Sequence, residues 1–265
     1  MLFSEYAHTG DLGMIDPKAS VLELTIDNCD FTLKQSPGTL NSTRAGGTTG
    51  AAVWRIAPVL ARWLSSSNNQ LFQLGILGSE ACVLELGAGV AALVPLMLAP
   101  KISRYIATDQ QYSLKVLEEN VASNNQITSK PKSRVKGRVG KETSLPIDIV
   151  PLDWESDDVQ SLLNSIGLKS GVDLVFASDC IYNYALIKPL VQACVDACGM
   201  RVGKTKPTVC LIAQQLRQPD VFEEWLAVFL EDFDTWRLLD SSDSAFGPGS
   251  AYVLHVGILK TATSS

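Results

Sequence analysis

The sequence predicts an α/β fold built on a mostly parallel sheet with helices on both faces. From Cys82 onward, short apolar runs alternate with segments of helical periodicity. Strands separated by helices return to the same sheet in parallel. At the first junction, VLELGAGVAA (residues 83–92), an apolar strand runs into a glycine turn and a second apolar segment. The chain has 265 residues, 46% hydrophobic and 19% charged. That length can bury a full core in one domain, and the composition excludes a disordered or fibrous protein.

Residues up to about Ser20 read as a loose lead-in. VLELTI and FTLKQ, separated by DNCD, predict a hairpin around a turn of Asp and Asn. NSTRAGGTTG (residues 41–50) is a loop, and AVWRIAPVLARWL is an extended entry followed by a helix that tolerates Pro58 only near its start. SSSNNQ closes that unit, so residues 1–66 form an accessory hairpin, loop and cap helix packed on a core of residues 67–265.

In the core, strand CVLEL precedes helix VAALVPLML. Strand RYIATD precedes a helix with Leu114, Leu117 and Val121 on one face. IVPLDW is a third strand and VDLVFASD a fourth, followed by a helix presenting Leu186, Leu190, Cys194 and Ala197. TVCLIAQQ is a fifth strand, and Phe222, Trp225, Leu226, Phe229 and Leu230 make an amphipathic helix whose stripe belongs to the core. WRLLDS and AYVLHVGIL close the chain as a hairpin, an antiparallel edge on the parallel sheet.

Charge and cysteine usage narrow the partners. A formal net charge of -6 argues against nucleic acid, whose phosphates call for a basic face, and suits a basic protein partner. Six cysteines, several within apolar patterns, suit reduced thiols in the cytoplasm or nucleus. Cys194 and Cys198 share a helix face, but His8 and His255 are the chain's two histidines and no C-x-x-C pair occurs, so no metal site is expected. MLFSEYAHTGDLG lacks a secretory pattern. The apolar stretch 81–100 contains Glu85, two prolines and two glycines, which fits a buried strand-turn-helix and not a membrane span. Between helix and third strand, Lys130, Lys132, Arg134, Lys136, Arg138 and Lys141 crowd together, either a docking loop for an acidic or nucleic-acid surface or, as the favoured reading, a solvated insertion.

Ligands of open α/β sheets bind beyond the carboxyl ends of the strands. Gly87 and Gly89 permit close backbone approach. With Ala92 they also fit G-x-G-x-x-A, a form of the dinucleotide fingerprint that an ordinary tight turn can share. Asp109 closes the second strand, placed to accept ribose hydroxyls. Asp153 and Trp154 close the third, an acceptor beside a ring able to stack on a base. Ser178, Asp179 and Tyr182 follow the fourth. A sheet that finishes in a hairpin lacks the second half that a dinucleotide fold devotes to its other nucleotide, which speaks against NAD.

E-L-G-A-G, the acid closing strand two, L-D-W and S-D-C-I-Y together resemble the seven-β-strand S-adenosylmethionine-dependent methyltransferases, a Rossmann-like fold. More narrowly they resemble the protein-lysine methyltransferases of family 16, marked by D-x-x-Y after strand four. TTGAAVW (residues 48–54) resembles that family's segment ahead of its cap helix, most of all in the fungal ribosomal branch. The resemblance implies S-adenosyl-L-methionine as cofactor, held by Trp54, Gly87, Ala88, Gly89, Asp109, Trp154 and Ser178, with Asp179 and Tyr182 catalytic. Ser178 stands where relatives often carry alanine. Asp179 would orient the amine or the cofactor's amino group, or cap the next helix; Tyr182 would wall the channel, or merely pack. The implied substrate is a lysine on a basic cytoplasmic protein, above all one of the large ribosomal subunit, modified by a monomer that engages neither nucleic acid nor membrane. An elongation factor or chaperone is the alternative substrate. A nucleic-acid or small-molecule methyltransferase is the more distant reading, and D-C-I-Y lacks the prolines of the N-P-P-Y-like turn typical of amino-methylating DNA enzymes.

Overall fold

The computed structural model describes residues 13–40, 48–128, 145–239 and 243–261. His8, most of the loop from Asn41 and the basic stretch 130–141 lie outside them.

The chain begins with a hairpin of β1 (Val21–Ile26) and β2 (Cys29–Lys34), paired antiparallel from Val21↔Lys34 to Ile26↔Cys29. Its turn is Asp27-Asn28, tighter than the four residues expected, with both at positive φ (47° and 65°). Asn and Asp tolerate that conformation, and it matches the twist of the flanking strands. A short α1 (Pro37–Leu40) and a 3-10 turn (Thr49–Ala51) lead to α2 (Ile56–Ser65), where Pro58 sits in the first turn, and to α3 (Gln70–Gln73).

Then come β3 (Cys82–Leu86), α4 (Leu93–Leu98), β4 (Arg104–Asp109), α5 (Gln111–Thr128), β5 (Ile147–Pro151), α6 (Val159–Ser165) and β6 (Leu174–Ser178). α7 (Tyr184–Gly199), β7 (Val209–Gln215), α8 (Pro219–Asp232), β8 (Phe233–Leu238) and β9 (Tyr252–Leu259) complete the chain. The sheet has seven strands in the order β5-β4-β3-β6-β7-β9-β8. β3 to β7 run parallel, while β9 is antiparallel to both β7 and β8.

Three expectations shift. The first core helix begins at Leu93 and not Val90, because Gly89 and Ala92 both adopt positive φ (59° and 57°). The third strand runs Ile147–Pro151 and its last bond to β4 is Leu152 N to Asp109 O (2.9 Å), so Asp153 and Trp154 stand in the following loop. The antiparallel strand of the terminal hairpin, β9, is slotted inside the sheet, and the edge strand β8 points the same way as the parallel set.

Strand residues alternate between two cores. Val83, Tyr105, Ala107, Phe176 and Leu211 face one side, where α2, α4 and α5 cover them with Leu60, Leu64, Leu96 and Leu117. Leu84, Ile106, Val175 and Ile212 face the other, under Leu163 of α6, Leu190 and Cys194 of α7, and Phe222, Trp225 and Phe229 of α8. Burial on both faces explains the near-continuous apolar runs in β3, β4, β6 and β7. Leu230 departs from the expected stripe and is 45% exposed. All six cysteines are free, and Cys194, Cys198 and Cys210 pack together in the core. Among the described residues no helix is long and apolar enough to cross a membrane. The hairpin and α2 share one apolar cluster with β3 and β4: Leu22, Phe31 and Leu33 belong to the same core as Val83.

Candidate active site

The sheet's direction of winding reverses between β3 and β6, where a crevice opens at the strands' carboxyl ends. A cleft of about 1010 Å³, counting space continuous with solvent, lies there, and every site residue singled out by the sequence lines it. Gly87, Ala88 and Gly89 follow β3, Asp109 ends β4, and Trp154 comes from the loop after β5. Ser178 ends β6, Asp179 and Tyr182 follow it, and Trp54 reaches in from the segment before α2.

Gly87 adopts φ +72°, and a Cβ there would come within 2.8 Å of Cys180 Sγ and 3.0 Å of Trp154 Cζ2. Both conformation and space therefore call for glycine. At Gly89 (φ +59°) a Cβ would meet the Gly50 carbonyl at 3.2 Å, so the glycine turn and the segment before α2 nearly touch. Gly89 N donates to Asp109 Oδ2 (2.6 Å) and Gln110 N to Oδ1 (2.7 Å). Ser113 adds a side-chain hydrogen bond, and the carboxylate lines the cleft as an acceptor for a ligand hydroxyl. Burial pushes the Asp109 carboxyl up, opposed by the hydrogen bonds from Gly89 N, Ser113 and Gln110 N.

Two buried polar atoms in the cleft wall have no partner among the described residues: Trp154 Nε1 and Ser178 Oγ. Buried polar groups normally find partners, so an indole donor and a hydroxyl left over at one cleft mark a place built for a polar ligand. With the glycine cradle and the Asp109 carboxylate, these groups fit a nucleoside cofactor such as S-adenosylmethionine.

Asp179 lies in the left-handed region (φ 58°) with its side chain 1% exposed. The alternative role of capping the next helix falls to Asn183, which accepts from Ala185 N at the start of α7. The Asp179 carboxylate instead takes a bidentate pair from Arg217, Nη1 to Oδ2 at 2.8 Å and Nη2 to Oδ1 at 2.9 Å. Gln214 Nε2 (2.9 Å) and Gln215 N (3.3 Å) also donate to Oδ1. Burial pushes the Asp179 carboxyl up, and the Arg217 guanidinium opposes it. Arg217 also stacks over Trp54, its Cζ 5.0 Å from the ring centroid. The Tyr182 hydroxyl meets Thr49, and burial pushes its pKa up to about 12. Beneath the glycine turn, Glu85 accepts from the Tyr105 hydroxyl (2.6 Å); burial and the charge of Asp109 raise its pKa to about 7.

Sequence reasoning missed Arg217, Gln214, Thr49 and Gly50. Arg217 follows β7 and is 38 residues from its carboxylate partner. The position just past a fifth strand end was the one signal that could have drawn attention to it.

The sequence profile of the family described as "Lysine methyltransferase" matches residues 36–222. A protein of Schizosaccharomyces pombe named diaminohydroxyphosphoribosylamino-pyrimidine deaminase is 30% identical over 82% of this chain, which spans 46% of that longer protein. Ribosomal lysine N-methyltransferase 5 of Vanderwaltozyma polyspora is 28% identical, covering 84% of both chains. Its namesake in Zygosaccharomyces rouxii is 29% identical, covering 74% of this chain and 69% of the relative. Among solved structures, a candidate methyltransferase complexed with S-adenosylhomocysteine superposes with a TM-score of 0.52 at 8% identity, covering 90% of this chain and 56% of that one. A candidate S-adenosylmethionine-dependent methyltransferase from Streptococcus mutans gives 0.51 at 10%, covering 91% and 56%. These two share the fold.

Proposed function

The chain belongs to the lysine methyltransferase family, and on that premise we propose that it transfers a methyl group from S-adenosylmethionine to a lysine of a basic ribosomal protein. The convergence of five separate segments on one cleft at the sheet's switch point carries the reading. The ribosomal names of the V. polyspora and Z. rouxii relatives, with the net charge of -6, support the substrate class. The deaminase name belongs to a protein more than twice as long as the matched part and gives this chain no activity.

S-adenosylmethionine supplies an electrophilic methyl group on a sulfonium. Gly87, Ala88 and Gly89 let the backbone approach the ligand, Asp109 accepts its hydroxyls, and Trp154, Ser178 and Trp54 line the rest. The nucleophile must be a neutral amine, and neutralising lysine near pH 7 costs roughly 4–5 kcal/mol. Holding the amine in line lowers the barrier by up to about 7–11 kcal/mol. Because Arg217 already pairs with Asp179, the carboxylate's part is to shape and polarise the mouth, not to carry away a proton. Tyr182 walls the same mouth. Residues 1–66 serve as the accessory cap and 67–265 as the catalytic core of a cytoplasmic monomer acting without nucleic acid or membrane.

Incubation with labelled S-adenosylmethionine and ribosomes from cells lacking the protein tests this directly. Label on a ribosomal-protein lysine is expected. Label on an elongation factor or chaperone would move the substrate; label on RNA, a metabolite or arginine would overturn the lysine reading.

A further inference from the structure

We infer that Arg217 is a positioning residue that neutralises Asp179 at the cleft mouth, so that the site receives its substrate lysine as an uncharged amine. The inference rests on the lysine reading.

Asp179 is a buried, cleft-lining carboxylate in a left-handed backbone conformation, and its donors all come from β7 or the residues just after it. Among the described residues, Oδ1 takes three of them, while Oδ2 takes Arg217 Nη1 alone. Arg217 is held in turn from the opposite side. Its guanidinium stacks on Trp54, which pairs with Met14 in an isolated bridge, and Gly13 (φ +83°) packs so closely that a methyl there would overlap Nη1. The N-terminal strap is fastened to the entry of α2 by Ile15 N to Val53 O (3.1 Å) and Arg55 N to Gly13 O (2.9 Å). A bare carboxylate at this mouth would bind an ammonium and keep it protonated, because an opposite charge within about 4–6 Å favours the charged form by about 1–3 pH units. With Arg217 in place, the pair carries no net charge and that trap is closed.

Methyl transfer then balances simply. The lysine ammonium loses its proton to solvent on entry. The neutral nitrogen attacks the methyl carbon while the carbon–sulfur bond breaks, its electron pair remaining on sulfur. The alkylated nitrogen, now positive, later loses a proton to water. The other titratable groups around the cleft are Glu85 on β3, Asp109 on β4, Tyr112 on α5, Asp153 after β5, and Cys180 and Tyr182 beside Asp179. All remain in the variants below, so a difference between variant and wild type isolates Arg217.

The test is the pH profile of kcat for wild type, Arg217→Gln, Arg217→Lys and the double variant Arg217→Gln/Asp179→Asn. The probes are labelled S-adenosylmethionine and ribosomes from cells lacking the enzyme. Arg217→Gln should lose about ten-fold at neutral pH and regain rate in alkali, its midpoint moved up by about one pH unit. Arg217→Lys should keep the midpoint near wild type, and the double variant should return it there by removing both charges. S-adenosylhomocysteine affinity is measured on the same samples so that kcat is read at saturating cofactor, since Arg217 stacks on the cleft-lining Trp54. A loss equal at every pH, or a double variant that stays shifted, would overturn the inference. Should Arg217→Gln fail to fold, Gly13→Ala decides, with the same upward midpoint expected and an unmoved one fatal. A wild-type enzyme that labels no lysine sinks the functional reading and this inference together. Labelled lysine with an unmoved midpoint sinks this inference alone.

Discussion

The side-chain amide of Asn120 ties the N-terminal hairpin to the glycine turn. From α5 it accepts from Lys34 N (2.7 Å) and donates to Lys34 O (2.9 Å) and Val90 O (2.6 Å). One turn on, Asn124 does the same for Thr32 N and O, so two asparagines serve the open edge of β2 as a partner strand would. Asn120→Ala strands buried backbone groups and should cost about 2–4 kcal/mol by urea unfolding. Asn124→Ala should cost a similar amount. Only Asn120→Ala releases Val90, so only it should also weaken S-adenosylhomocysteine binding in calorimetry. Equal binding by both variants would mean that the hairpin anchor and the cofactor turn are uncoupled.

That anchor also shows where sequence reading stops. The parallel core was legible because β3, β4, β6 and β7 are buried on both faces, which leaves apolar runs bounded by polar residues. The same boundaries marked Asp109, Ser178 and Asp179. Nothing local signals that Asn120 will serve Lys34, 86 residues away, or that Arg217 will neutralise Asp179. Such partners are chosen by the three-dimensional neighbourhood, and Asn or Arg on a helix or loop reads as solvated surface. β5 was misplaced for a related reason: as an edge strand it is only half-buried, so its residues show no clear apolar run.

Gly87 and Gly75 share a left-handed backbone (φ +72° and +67°) but differ in surroundings, since nothing lies within 4 Å of a Cβ at Gly75. Gly75→Ala should cost the conformational penalty alone, roughly 1–2 kcal/mol. Gly87→Ala adds the clash with Cys180 and Trp154 and should cost about 3 kcal/mol or more. Thermal melts of the two variants make the comparison. Equal losses would show that the glycine turn has room to spare.

Asp109→Ala removes the charged acceptor from the cleft, and Trp154→Ala removes a ring face together with an unpartnered indole N–H. Each should weaken S-adenosylhomocysteine binding by about 1–3 kcal/mol. Calorimetry with circular dichroism on the same samples separates affinity from folding. Unchanged affinity in both variants would place the cofactor elsewhere.

Glu85 gives a pH dependence whose sign can be worked out. Its folded pKa of about 7 lies above the ordinary 4.5, because burial disfavours the carboxylate. Its protonated form therefore stabilises the fold fully below the unfolded value, and that contribution is lost as pH rises through 7. The full difference is about 3 kcal/mol. Glu85→Gln keeps the shape without titrating, so it should gain stability relative to wild type as pH rises across this window. Urea unfolding of both proteins at about pH 5 and about pH 8 reads the change, and titrating groups that do not interact with Glu85 cancel in the comparison. A constant difference would mean that Glu85 is solvated in the folded protein.

Tyr182 stands at the mouth with a hydroxyl bonded to Thr49 and a pKa pushed up to about 12, so it stays protonated at neutral pH and has no free base to offer. Tyr182→Phe keeps the ring and removes one hydrogen bond, about 1 kcal/mol, so transfer should fall several-fold at most. Tyr182→Ala opens the wall and should lose far more, in both kcat and KM, because the amine is no longer held in line. The ratio of the two losses is the measurement. A phenylalanine variant as inactive as the alanine one would put the hydroxyl in the proton path and assign Tyr182 a chemical part instead of a shaping one.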